Sequence, residues 1–191
     1  MKGTDLNATM GYPVASKLAQ EDIGIDKVTR VKPSGREIRY QNKSLDLNTN
    51  LVDPDFFDIF SFKIIAGQAK SPLQSLENIV LNQQTANSLF GKENPIGKAV
   101  EIKLAGEWRQ LIVSAVMEDA PKNSSFKFSI LARTELDPDW ARTKEEWYEQ
   151  HHQVYVRLAP QGTQTQVEQR LRSFIQKHLH PNAEAHKKHG I

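Results

Sequence analysis

Apolar positions along the chain alternate between helical and strand spacing, and this switching marks most of the elements. Between Tyr12 and Asp22, Val14 and Leu18 stand four apart beside Ala15 and Ala19, which predicts a short helix with one apolar face. Val28–Val31 and Glu37–Tyr40 read as the two strands of a hairpin turned at Pro33-Ser34-Gly35, and a further strand follows over Ser44–Val52. Asp53-Pro54 predicts a helix start, with Asp as the cap and Pro in the first helical position, where its missing N–H is harmless. Phe56, Phe57 and Phe60 crowd the turn that follows, and Phe62, Ile64 and Ile65 lead to Gly67. Asn78–Leu81 reads as a strand entering a helix over Gln83–Phe90, which Gly91 ends in a left-handed conformation. Lys98–Leu104 and Trp108–Met117 pair as a hairpin across Ala105-Gly106-Glu107. Phe126, Phe128 and Ile130 show the period of a half-buried strand.

The last third continues in the same way. Asp137-Pro138 predicts the cap of a polar helix running to Gln150, and Val154–Leu158 reads as a strand. Thr163 with Gln166 has the form of a capping box. The helix it opens places Val167, Leu171, Phe174, Ile175 and His178 on one core-facing stripe. Residues 1–11 read as a frayed terminus and His180–Ile191 as a polar tail. This order predicts an α+β fold of two lobes, a βα-type lobe built from both chain ends with a β-rich lobe inserted in the middle. The expected boundaries are 1–52 with 136–182 for the first lobe, 53–135 for the second, and 183–191 for the tail.

Composition narrows the class. With 38% hydrophobic and 25% charged residues and a mean hydropathy of −0.57, the chain has the make-up of a globular protein able to bury a core. The longest dense apolar run, Leu111–Met117, is far short of the roughly 18 residues that a membrane helix needs. No apolar stretch of the signal-peptide kind follows Met1-Lys2-Gly3, so delivery outside the cytoplasm would need a further segment. The net charge is +2 with mixed signs, which argues against nucleic acid as a partner. The absence of cysteine excludes disulfides, thiolate metal sites and cysteine nucleophiles.

Candidate chemistry was weighed residue by residue. Gly91-Lys-Glu-Asn-Pro-Ile-Gly-Lys98 approaches a phosphate-binding loop, but five residues separate the glycines, Ala99 follows the lysine, and the segment leaves a helix for a strand. Ser124-Ser-Phe-Lys127 has the Ser-x-x-Lys spacing, yet it straddles a loop and a strand rather than one helical turn. Six histidines, His151, His152, His178, His180, His186 and His189, form no His-Glu-x-x-His pattern, and His178 falls on an apolar helix face where packing is the expected role. Asp53, Asp55 and Asp58 read as one cap and two solvated acids. Trp140, Trp147 and Tyr148 share a helical spacing that points to core packing ahead of a binding face. The expectation is no catalytic, cofactor-binding or metal site, no cofactor and no enzymatic activity.

Three segments in this order resemble a known family. Val52-Asp-Pro-Asp-Phe-Phe-Asp-Ile-Phe60 with Ala66-Gly67 is the first. Asn78-Ile-Val-Leu-Asn-Gln-Gln-Thr-Ala86 followed by Leu89-Phe-Gly91 and Asn94-Pro-Ile-Gly-Lys98 is the second. Val113–Phe128, carrying Asp119-Ala-Pro-Lys-Asn-Ser-Ser125, is the third. Together they resemble the MacB-like periplasmic core domain of ABC-transporter permeases of the MacB/FtsX type. The chain departs from the family pattern at Ser114-Ala115-Val116, where a glycine is usual, and lacks the flanking membrane helices.

The resemblance implies a domain on the periplasmic face of the bacterial inner membrane, held between membrane helices that lie outside this sequence. It implies a cytoplasmic ATPase as partner, a dimer in the intact transporter, and a possible periplasmic partner protein. The implied role is to pass ATP-driven motion to a substrate or partner outside the membrane. The competing expectations are a free-standing extracytoplasmic module that binds a peptide, lipid or sugar, and a hydrolase with an unrecognised site.

Overall fold

The structure is a computed structural model that describes residues 9–121, 123–124, 127–148 and 152–188, the last nine of these as backbone. Nine strands follow one another as β1 (Thr9–Met10), β2 (Ile25–Tyr40), β3 (Lys43–Val52), β4 (Ile64–Gly67), β5 (Asn78–Asn82), β6 (Ala99–Leu104), β7 (Glu107–Met117), β8 (Ile130–Arg133) and β9 (His152–Leu158). The helices are α1 (Tyr12–Gln20), α2 (Phe56–Ile59), α3 (Gln83–Phe90), α4 (Trp140–Thr143) and α5 (Gln164–Lys188), with a 3₁₀ turn at Thr134–Leu136. The fold is α+β, as the element order predicts.

Six of the strands close on themselves. β2 pairs with β3, β3 with β8, β8 with β5, β5 with β7, β7 with β6, and β6 returns to β2 through Ile38↔Ile102 and Arg39↔Glu101. Closure leaves each ring strand paired on both edges over part of its length, which removes the exposed edges an open sheet would present. One residue parity from every ring strand points inward: Ile38, Leu51, Ile79, Leu81, Val100, Ile102, Leu111, Val113, Ile130 and Ala132 form one cluster. Ala86, Leu89 and Phe90 of α3 complete it. The opposite faces of the same strands, Val80, Leu131 and, past the register shift between Val113 and Ala115, Ala115, pack outward against Phe56, Leu73 and Phe128. β5 and β8 are therefore buried on both faces, which is why they read as unbroken apolar runs, Ile79-Val80-Leu81 and Ile130-Leu131-Ala132.

A third cluster gathers the two ends of the chain. Val14, Ala15 and Leu18 of α1 meet Ile23, Val28 and Phe174, with Leu171, Leu179, Trp147 and Val154 around them. β9 lies along the first half of β2 (Ile25↔Leu158 to Val31↔Gln153), and β1 pairs with the free side of β9.

Local predictions divide instructively. The Thr163/Gln166 capping box forms, with Gln166 N donating to Thr163 Oγ1 at 3.4 Å and Thr163 N to Gln166 Oε1 at 3.3 Å. α3 spans the predicted residues: Gly91 ends it with the expected positive φ of 62°, though with ψ −111° it is not left-handed helical, and its N–H bonds Asn87 O, while Asn82 Oδ1 caps the start by accepting from Thr85 N at 2.9 Å. Pro33-Ser34-Gly35 is not a turn. It lies inside β2, and the hairpin turns instead at Gln41 and Asn42, with Gln41 at φ 51°. The reason is the edge: β9 pairs with β2 up to Val31 and β6 only from Ile38, so Pro33 sits where one side of the strand has no partner and a missing N–H is tolerated.

Two helix starts also differ. Asp53 does not cap α2, whose N-cap is Asp55 without a side-chain bond, because its carboxylate is drawn to Arg30. The helix expected from Asp137 to Gln150 shrinks to the single turn of α4, while Asp137 is held by Lys32 and Tyr12. At the C-terminus the helix continues through residues read as tail, reaching Lys188.

Candidate functional site

The described residues most densely charged below the surface lie where the end-cluster elements meet the strand ring. β2 supplies Arg30 and Lys32, whose side chains alternate with the buried Thr29 and Val31. The end of β3 leads into Asp53, and the end of β8 supplies Arg133 with Glu135 and Asp137 close behind. β3 and β8 run parallel here (Thr49↔Ile130 to Val52↔Arg133), so the acids that follow each strand emerge side by side.

Three ion pairs result. Arg30 Nε lies 2.8 and 3.0 Å from the two oxygens of Asp53, and Arg30 N donates to the same carboxylate at 2.8 Å. Both side chains are only 12% exposed. Arg133 binds Glu135 through Nε at 2.9 Å and through its terminal nitrogen, and its other terminal nitrogen donates to Leu73 O and Gln74 O. Lys32 pairs with Asp137, whose side chain is 2% exposed and also accepts from Tyr12 Oη at 2.5 Å. Tyr12 brings α1 into the network, and Arg30 adds a bond to Tyr12 O at 3.3 Å. Two rings line the cation: Arg30 lies 5.1 Å from the Trp140 ring centre and 5.7 Å from that of Tyr12. The buried His152 packs on the other aromatic side, 4.5 Å from Tyr12.

The electrostatics follow from burial opposed by partners. Burial pulls the Asp137 carboxyl up, but the bonds from Lys32 and Tyr12 outweigh it and leave the group below the ordinary aspartate range. Glu135 behaves likewise, with Arg133 overcoming its desolvation. The Tyr12 hydroxyl is pushed well above the ordinary tyrosine value, first by burial and then by its bond to Asp137. Asp137 and Glu135 therefore stay charged and Tyr12 stays neutral across neutral pH, which suits a rigid connection. No proton donor or acceptor among them is tuned towards neutrality, as acid–base catalysis requires.

The residues singled out from sequence fall into separate places. Asp53 belongs to the junction, whereas Asp55 and Asp58 both pair with Lys27, at 3.5 and 3.0 Å. Trp140 stands edge-on to Tyr12 at 4.8 Å, and Trp147 lies against His178, so the three aromatic residues do not share one face. Trp147 and Tyr148 instead wall an apolar groove of about 330 Å³ with Val14, Leu18, Phe174 and Ile175. Gly91–Lys98 turns from α3 into β6, and Lys98 Nζ is taken by Glu93 at 2.9 Å. Ser124 and Lys127 flank residues 125–126, which lie outside the described residues, as do His151 and His189 and the side chains of His180 and His186. Among the described residues no group of three or more His, Asp or Glu side chains could hold a metal ion. No helix of the described residues is long and apolar enough to cross a membrane.

Sequence reasoning passed over Arg30, Lys32, Arg133, Glu135 and the Asp137 contact. Their partners are up to 125 residues away, and the one available signal was the pair of basic residues inside an otherwise apolar strand at Val28–Lys32.

Comparison with known proteins places the arrangement. A sequence comparison with curated proteins finds no match. Among solved structures, a domain of a protein described as a permease from Porphyromonas gingivalis superposes with a TM-score of 0.76 at 25% identity, over 90% of this chain and 72% of that one. The periplasmic region of MacB from Actinobacillus actinomycetemcomitans gives 0.68 at 19% identity, over 90% and 75%. The extracellular domain of the ABC-type transporter YknZ from Gram-positive bacteria gives 0.60 at 17%, over 85% and 79%. These last two likenesses concern the fold. The sequence profile of the MacB-like periplasmic core domain matches residues 2–174, and the chain belongs to that family, the extracytoplasmic domain of ABC-transporter permeases.

Proposed function

We propose that this domain transmits ATP-driven motion from the membrane to a substrate or partner outside it, and that the charged junction is where the motion crosses. The observation that carries this reading is the continuity of β2. Its 16 residues pair with β9 at one end and with β6 of the ring at the other, a strut roughly 50 Å long. Two lobes fit it, a base of 1–52 with 136–182 and an outer lobe of 53–135, with the β2–β3 hairpin reaching from the first into the second. Arg30 with Asp53 and Lys32 with Asp137 tie β2 to the ends of β3 and β8, and Tyr12 ties α1 to Asp137. Motion passes between packed elements only when their connections resist shear, and bidentate ion pairs of low exposure fix direction as well as distance. A cytoplasmic ATPase, a second copy of the permease and a periplasmic partner protein complete the proposed machine.

The test is made in the full-length permease with its ATPase. Arg30→Gln with Asp53→Asn removes the charges of one crossing pair and keeps hydrogen-bonding groups in place. ATP hydrolysis should persist while transport or partner activation falls by roughly tenfold, a coupling loss in the usual range. Undiminished transport would reject transmission through this pair. The apolar groove of about 330 Å³ supports the second reading, a tethered module that binds a peptide, lipid or sugar, and retained transport together with saturable binding of one of these would favour it.

A further inference from the structure

The ring of strands has one joint unlike the rest. Its other five pairings run over three to ten residue pairs, while β2 and β6 meet only at Ile38↔Ile102 and Arg39↔Glu101. The turns decide which backbone groups meet there. Two-residue turns at Gln41-Asn42 and Ala105-Gly106 make Tyr40↔Lys43 and Leu104↔Glu107 the bonded closing pairs of their hairpins. The main-chain groups of every second residue, Arg39 and Glu101 among them, therefore face the other way, into the joint. The next residues of that set, Glu37 and Lys103, are already outside the ladder, and only their side chains bridge the gap, with Lys103 Nζ 3.1 Å from Glu37 Oε2.

Side chains on the outer face fasten this short ladder. Arg39 binds Glu101 through Nε at 2.6 Å and through Nη2 at 3.1 Å. Its guanidinium lies 4.0 Å from the ring centre of Trp108 on β7, and Lys103 Nζ lies 5.4 Å from the same ring. Ser44 Oγ donates to the other oxygen of Glu37 at 2.7 Å. These fasteners reach solvent: the Arg39 and Glu101 side chains are 38% and 41% exposed, against 0% for Ile38 and Ile102 on the inner face. Exposed ion pairs are individually weak and are screened by salt.

We propose that the β2–β6 joint is the gate of the ring, where the two strands part as a local step while the other five pairings stay closed. Parting there uncovers only the inner cluster, at Ile38 and Ile102. Parting β5 from β8 would uncover residues of two clusters at once, Ile79 and Leu81 on one face and Val80 and Leu131 on the other. After opening, β2 keeps β3 and β9, and the β6–β7 hairpin keeps β5, so two intact units swing apart. The gate belongs to the ring alone and holds whether or not the domain transmits motion.

Residue-resolved amide exchange of the whole chain, corrected for intrinsic rates, tests it. The Arg39 and Glu101 amides should exchange about a hundredfold faster than those of Ile79, Val80 and Leu81, which lie in a strand paired on both edges. Raising sodium chloride from about 0.05 to 0.5 M should speed the first group about fivefold and leave the second unchanged. Glu101→Gln, which keeps the length of the side chain and a hydrogen-bonding group, should speed the first group about fivefold at low salt and weaken the salt response. Joint amides as slow as those of β5 overturn the gate, because the strands would then part only in global unfolding. Equal acceleration of both groups in Glu101→Gln overturns it as well, since the substitution would then loosen the whole fold. Unchanged exchange in that variant rejects the charged fasteners and the gate built on them.

Discussion

The strand ring is fully buried, the charged junction largely so, and the two are built from opposite chemistry. Inside the ring, Ile38, Ile79, Leu81, Ile102, Leu111 and Ile130 are 0% exposed and touch other apolar groups. At the junction, the Asp137 side chain is 2% exposed and the Arg30 and Asp53 side chains 12%, and each meets a charge. Apolar burial is strong and without direction, so many packings satisfy it. A buried ion pair has one good geometry, but the cost of taking it out of water offsets most of its attraction. The ring therefore supplies stability and the junction supplies orientation, and the two should respond differently to the same kind of truncation.

The largest effect is expected in the ring. Leu81→Ala deletes a side chain that is fully enclosed by strands on both sides and by α3, leaving a cavity that the closed ring cannot collapse to fill. It should cost about 3–5 kcal/mol in a denaturant melt. A cost under about 1 kcal/mol would mean that the ring interior is loosely filled and would remove the contrast with the junction.

At the junction the paired change should cost less than the single one. Asp137→Ala strands the Lys32 ammonium and the Tyr12 hydroxyl, for a loss of about 3 kcal/mol. Adding Lys32→Met should restore a large part of it, because the unpaired charge is gone. Acid gives an independent reading. Asp137 and Glu135 lie below their ordinary ranges, so their contribution is complete above about pH 4–5 and is lost as pH falls through their lower folded values. The wild-type chain should lose stability over that interval more steeply than the Lys32→Met/Asp137→Ala chain. Tyr12 acts at the other extreme: its raised value makes its contribution complete below about pH 10 and lost above it. Equal acid slopes in the two chains would show that the junction carbons, not its charges, hold the strands.

How far the sequence reached follows the same division. Elements held by local rules were legible: the α3 end at Gly91, the Thr163 box, and the β6–β7 hairpin. Asn78–Leu81 read as a strand and Phe126–Ile130 as a half-buried one, but the strand there is Ile130–Arg133, and neither reading showed that the two faces serve two different cores. Ring closure was out of reach, since it depends on only two residue pairs between β2 and β6. Pro33 misled because a proline reads as a turn unless the missing neighbour strand is known. Asp53 and Asp137 were read as local helix caps, but distant Arg30 and Lys32 offered the carboxylates charged partners, and tertiary contact overrode local preference.

The smallest effects come from two turns that bound the ring strands, and here the comparison is between a turn already satisfied and one under strain. Gly91 has φ 62°, and a β-carbon there would meet nothing within 4 Å. Gly91→Val therefore pays in backbone conformation alone, about 1–2 kcal/mol. The β6–β7 turn is the reverse case. Ala105 and Gly106 both have positive φ, 49° and 88°, the signature of a type I′ turn, yet the first position carries alanine. Asparagine tolerates that conformation better, so Ala105→Asn should stabilise by about 0.5–1 kcal/mol. Leu104↔Glu107 closes the turn next to the inward-facing Leu104, so relief at Ala105 should raise the melting midpoint without changing the denaturant slope. Opposite signs for the two substitutions confirm that backbone conformation, and not side-chain contact, limits both turns. A loss of stability in Ala105→Asn would show that alanine is held at this position by packing against the ring.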